Sequence, residues 1–128
     1  MTAPAITAIA PFFIVSDLEK SVTFYCDGLG FDLLFSAPHA GSFFAIVQRD
    51  AAILHLKVVE AAPLPNPVRD AEARFDAFVT VPDPDALAAE FEARGVAFQA
   101  PLRDTEEGLR GFELADPDGH VLFFGRPV

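Results

Sequence analysis

Three side chains set among apolar, strand-like residues could carry chemistry in this chain. His55 stands in "ILHLKV", Asp76 in "RFDAFVTV" and Glu113 in "GFELA". One imidazole and two carboxylates are donors for a divalent metal such as Zn, Ni, Mn or Fe, provided about three of them converge. His55 and Asp76 alone could instead form an acid–base pair, with either as general base, or simply a mutual hydrogen bond. Alternation along a strand says where they point. Leu54, Leu56 and Val58 form a uniformly apolar face, which puts Ile53, His55 and Lys57 on the other. Ala77, Val79 and Val81 form a second apolar face, with Asp76, Phe78 and Thr80 opposite. Glu113 shares a face with Gly111 and Ala115, away from Phe112 and Leu114. The mixed faces are expected to meet in one cleft. A core histidine bonded to a neighbour and a solvated aspartate are the plainer readings of His55 and Asp76.

The chain has 14 Phe, one Tyr and no Trp, so its aromatic surfaces are greasy rather than hydrogen-bonding. Phe12, Phe44 (or its neighbour Phe43), Phe78 and Phe123 are the candidates for lining the cleft. With His55, Asp76, Lys57 and Glu113 as polar anchors, they would suit an apolar or aromatic small molecule. His120 follows the turn "DPDG" and reads as a hairpin residue; His39, in "SAPHAGS", reads as an exposed loop residue. Cys26 has no basic neighbour to activate it and reads as structural. No Ser-His-Asp arrangement, phosphate-cradling glycine loop or nucleotide fingerprint is present.

The elements that must position these residues come in two copies of one plan. "IAPFFIVSDLEKSVTFYCDGLGF" reads as strand, helix and turn. Ser16 and Glu19 fit a capping box with Asp17 as a competing cap, and Leu18, Val22 and Tyr25 form one helical stripe. "SFFAIVQ" and "AAILHLKVV" follow as strands. The second copy begins at "RFDAFVTVPDPDALAAEFEARGVAF", with Asp83 as cap, Pro84 at the first helical position and Gly95 as stop. "GFELA" and "HVLFF" then flank "DPDG". A shift of 66 places Val15 on Val81, Asp17 on Asp83 and Tyr25 on Phe91; a shift of 68 places Ile46 on Leu114 and Leu54 on Leu122. The expected fold is α+β, two tandem βαβββ modules. Residues 1–60 form the first module, 61–73 a proline-rich linker without an element of its own, and 74–128 the second module. The two form one compact domain. Each sheet has one face covered by its helix and needs a partner for the other.

A formal net charge of −10 with only two lysines argues against nucleic acid or an anionic membrane; its plainer reading is solubility, and it also suits a cationic ligand. No apolar run reaches the about 18–20 residues of a membrane span. One cysteine leaves no intrachain disulfide, and "MTAPAITAIAPFF" lacks the basic start of a signal peptide, so a cytoplasmic protein is expected. Extensive exposed apolar surface predicts a homodimer.

"VSDLEKSVTFYCDGLGF" (15–31) and "GFELADPDGHVLFF" (111–124) resemble the first helix and closing hairpin of the vicinal oxygen chelate superfamily, which includes glyoxalases, bleomycin-resistance proteins and dioxygenases. The resemblance spans nearly the whole chain. It implies four strand positions for metal ligands, here Ala10, His55, Asp76 and Phe123, of which Ala10 and Phe123 cannot ligate. Glu113 could complete a His55, Asp76, Glu113 set only by departing from that pattern. The resemblance is to the bleomycin-resistance branch in particular, where Pro11 commonly follows the first position, although the absence of Trp removes a usual stacking residue. The expected function is therefore metal-free binding of a small molecule, akin to antibiotic sequestration. The alternatives are a metal-dependent lyase, isomerase or dioxygenase, and a metal-free enzyme with Asp76 or His55 as general base.

Overall fold

Alternating strand faces and capped helices build two four-stranded sheets. The computed structural model describes residues 3–37, 43–70, 72 and 75–128. In the first module, β1 (Phe12–Ile14) leads to α1 (Leu18–Thr23), which runs on as a π-helical turn (Phe24–Gly28). Strands β2 (Asp32–Ser36), β3 (Phe44–Arg49) and β4 (Ala52–Lys57) follow. The second module holds β5 (Ala77–Thr80), α3 (Pro84–Ala93), β6 (Ala100–Asp104), β7 (Leu109–Ala115) and β8 (Val121–Pro127). The sheet orders are β1-β4-β3-β2 and β5-β8-β7-β6, the same order twice, with the first pair of each parallel.

Short polar side chains start both helices by accepting otherwise unpaired N–H groups. Asp17 takes the Lys20 N–H at 3.1 Å and Asp83 the Ala86 N–H at 3.0 Å. Asp17, not Ser16, is thus the cap of α1. Ser16 reaches the other module instead, its hydroxyl donating to Asp118 Oδ1 at 2.6 Å. Gly95 ends α3 at φ 81°, a conformation open to glycine at little cost. The segment expected to be a plain linker contains a one-turn helix, α2 (Asn66–Arg69). Asn66 is buried there and its N–H donates to the Gly119 carbonyl, so the prolines lead into and through a docked turn rather than a free tether.

The register confirms the repeat and corrects one part of it. Phe12 pairs with His55 as Phe78 pairs with Phe123, matching the shifts of 66 and 68. Ile46, however, lies opposite His55 while Glu113 lies opposite Phe123, so Ile46 corresponds to Glu113 and not to Leu114. Counted between paired positions, nine steps of chain separate Ile46 from His55 and ten separate Glu113 from Phe123, so the second hairpin is longer by one residue. Because side chains alternate, that residue changes which face is being compared.

The helix-covered faces of both modules join in a single core. Leu54, Leu56, Ala45 and Val47 from the first sheet meet Phe112, Leu114, Leu122 and Phe124 from the second, with Tyr25 and Phe91 from the helical segments. Polar links between modules run along this same side. Tyr25 donates to Asp116 Oδ2 at 2.8 Å, and Arg49 makes a two-pronged ion pair with Glu90 at 2.7 and 2.9 Å. The Arg49 hydrogen bond, joined by Arg94 and opposed by partial desolvation, holds the Glu90 carboxyl below its ordinary value. A carboxylate with a lowered native pKa stabilises the fold above its unfolded value of 4.5, and that contribution is lost as pH falls through the native value. Glu90→Gln should therefore lower the melting temperature modestly at pH 7, because the pair is partly exposed, and the difference from the parent chain should close as pH falls below about 4.5. Melting curves between pH 3 and 7 read this directly.

Candidate functional site

With the helix-covered faces turned inward, the mixed faces turn away from the shared core. Within one chain they do not form the common cleft that alternation predicts. Each instead presents an aromatic cluster outward.

On the first sheet, Phe12, His55, Ile46 and Phe35 lie side by side across the four strands. The Phe12 and Phe44 rings flank His55, with centroids at 4.4 and 5.5 Å, and Phe35 adds a ring 6.1 Å from Phe44. Phe44, not Phe43, occupies this face. Phe12 and Phe35 are about half exposed. Lys57 Nζ lies 5.4 Å from the Phe12 centroid, a cation over an aromatic face. His55 Nδ1 is buried with no hydrogen-bond partner among the described residues.

On the second sheet the corresponding row is Phe78, Phe123, Glu113 and Ala100. Phe123 is fully buried, stacked between Phe75 at 4.8 Å and Phe78 at 5.2 Å. Its ring lies over two glycines. A Cβ on Gly111 would fall 2.6 Å from Phe123 Cζ, and one on Gly125 would meet the same ring. Arg103 sits 5.9 Å from the Phe123 centroid and pairs with Glu113 at 2.7 Å.

These contacts separate the residues singled out from the sequence. His55, Phe12 and Phe44 come together, as do Phe78, Phe123 and Glu113. Asp76 joins neither group: it accepts from Arg69 at 2.6 Å, Asn66 Nδ2 at 3.1 Å and the Val121 N–H at 2.8 Å, fastening α2 to the start of β5. A free base or metal ligand would have to break those bonds. The set His55, Asp76, Glu113 is therefore not assembled, and among the described residues no three His, Cys, Asp or Glu side chains are grouped to hold a metal. The four positions implied by the resemblance fit a metal no better. Ala10 offers a methyl group, and Phe123 fills its position with a buried ring.

The remaining candidates fall as their surroundings dictate. His120 is buried, stacked on Phe13 at 4.4 Å, with Nδ1 2.8 Å from Asp116 Oδ2. Burial, and then the nearby Asp116 charge, push the Tyr25 phenol well above its ordinary value, so it stays a donor to that carboxylate. Burial also raises the Cys26 thiol, with Asp27 and Asp32 adding to the shift, as suits an inert cysteine. His39 lies outside the described residues. A groove of about 400 Å³ between the β3–β4 turn and α3 has Phe31, Phe91 and Phe124 among its lining, and none of the predicted site residues.

Sequence reasoning missed Phe35, Phe75 and Arg103. An irregularity between Leu33 and Phe35 hides the facing of Phe35 from simple alternation. Phe75 precedes β5 and so carries no strand signal, and Arg103 acts through a partner ten residues away.

The fold has counterparts in known structures. The bleomycin-binding protein from bleomycin-producing Streptomyces verticillus, solved with copper(II)-bleomycin, is 28% identical, with a TM-score of 0.72 over 95% of this chain and 97% of that one. TnmS3, an antibiotic binding protein from Streptomyces sp. CB03234, is 27% identical, with a TM-score of 0.70 over 99% and 100%. TioX from Micromonospora sp. ML1 shares the fold at 22% identity, with a TM-score of 0.73 over 95% and 99%. Comparison with curated proteins by sequence gives no match. The family model for the Glyoxalase/Bleomycin resistance protein/Dioxygenase superfamily matches residues 6–124, nearly the entire chain, and the protein belongs to that superfamily.

Proposed function

We propose that the protein binds a small apolar or aromatic molecule without a metal, between the first sheet of one copy and the second sheet of another. One observation carries this reading: each sheet turns an aromatic cluster outward, with Phe12 54% exposed on one face and Phe78 44% on the other. Outward apolar faces of this kind are ordinarily covered in solution. A homodimer that brings them together would complete the cleft a single chain leaves open. The bleomycin-binding and antibiotic binding proteins, at 28% and 27% identity, support a sequestering role over a catalytic one. The commitment of Asp76 to Arg69 and Asn66 weighs against a metal-dependent lyase, isomerase or dioxygenase, and against Asp76 as a base. We place the protein in the cytoplasm; among the described residues no helix is long and apolar enough to cross a membrane.

Sedimentation and thermal shift test this together. The protein should sediment as a dimer, and at least one compound in a panel of planar aromatics should raise its melting temperature equally with and without EDTA. A ligand at about a hundredfold excess over its Kd stabilises by about 2.7 kcal/mol, a shift easily read. A monomer that no compound stabilises, or stabilisation abolished by EDTA, would contradict the proposal.

A further inference from the structure

The charge on the chain as a whole and the charge at the open face point in opposite directions. A net charge of −10 suits a cationic ligand. Charges dispersed over a solvated surface are screened beyond about 8 Å, so the groups within reach of the ligand decide its sign.

On the first sheet those groups are donors. Lys57 Nζ is held over the Phe12 ring, and no carboxylate among the described residues pairs with it. His55 stands two residues away on the same strand and face. Its Nδ1 is enclosed without a partner; no group among the described residues bonds Nε2 either, and Nε2 is the nitrogen a ligand can reach. The acidic residue of this face, Asp32, pairs in register with Gln48, two strands and two rows from Lys57. On the second sheet Arg103 stands over Phe123, but Glu113 already neutralises it at 2.7 Å. Among the described residues, the charge at the two aromatic clusters that no partner neutralises is therefore a single cation, Lys57, beside an imidazole and above a half-exposed ring.

We infer that the open face of the first module selects a planar aromatic ligand bearing an anionic oxygen, a carboxylate or phenolate, held by Lys57 Nζ and His55 Nε2 while its ring stacks against Phe12 and Phe44. The inference rests on the binding function proposed above and names the ligand class for that site. The ring supplies apolar contact that is indifferent to sign. The oxygen answers a cation whose attraction strengthens once the second copy excludes water. A cationic aromatic would instead meet Lys57 with like charge and leave His55 without an acceptor.

Three probes of one shape separate the sign of the ligand from its aromaticity: 2-naphthoate, neutral 2-naphthamide and protonated 2-naphthylmethylamine, titrated calorimetrically into the full chain. The expected order is naphthoate, then amide, then amine, with naphthoate at least about tenfold tighter than the amine. Lys57→Met should remove most of the naphthoate preference while leaving the amide within about twofold, and Lys57→Arg should keep the preference. Amine binding as tight as naphthoate, or a preference unmoved by Lys57→Met, overturns anion selection and leaves the aromatic-binding reading standing. If none of the three binds, both fall.

Discussion

Asp116→Ala is expected to be the most damaging single substitution in the chain, costing about 3–5 kcal/mol of a total near 5–15 kcal/mol. The Asp116 side chain is fully buried and gathers donors from both modules. Tyr25 OH and His120 Nδ1 each lie 2.8 Å from Oδ2, while the N–H groups of His120 and Asp118 donate to Oδ1 at 2.9 and 3.0 Å. Alanine would leave the phenol, the imidazole and two amides competing for no acceptor in a site closed to water. Tyr25→Phe, which removes one donor and leaves the carboxylate its other bonds, should cost only about 1–2 kcal/mol. Urea denaturation of the two variants gives the comparison. Equal losses would mean that the network is not centred on Asp116.

Phe123→Ala is the second large effect, because this ring is at once packing and floor. It is fully buried, and its removal empties the space above Gly111 and Gly125 and between Phe75 and Phe78. Large-to-small changes of this kind cost about 3–5 kcal/mol. Phe78→Ala, at a position 44% exposed in the single chain, should cost about 1–2 kcal/mol of stability while reducing ligand binding at least as much. The two substitutions thus separate the floor of the site from its wall. Phe123→Glu would place a carboxylate where the resemblance implies a metal ligand, yet the variant should bind no metal. Asp76 would still be held by Arg69 and Asn66, and Ala10 would still offer only a methyl group.

Much of the fold was legible because local signals agree with the global arrangement. Asp17 and Asp83 mark helix starts, Gly95 marks a stop, and alternation in "ILHLKV" separates the buried Leu54 and Leu56 from the outward His55. The same alternation placed Phe12, Phe78 and Glu113 on the mixed faces. Three things were not legible. The single extra residue between Glu113 and Phe123, relative to Ile46 and His55, shifted Ile46 onto Glu113, since a hairpin's length shows in sequence only when both strand ends are known. The partners of the carboxylates come from across a sheet or across a loop, as Arg69 does for Asp76 and Arg103 for Glu113, and spacing alone does not reveal them. The docking of the two modules through their helical sides depends on contacts such as Phe13 on His120, more than a hundred residues apart, and these send the mixed faces outward.

Metal content tests the central claim most directly. The purified protein would be incubated with excess Zn, Ni, Mn or Fe, desalted and analysed by elemental spectrometry beside His55→Ala. The account predicts less than about a tenth of an equivalent of every metal, with no difference between the two proteins. Close to one equivalent in the parent chain, lost in His55→Ala, would contradict it.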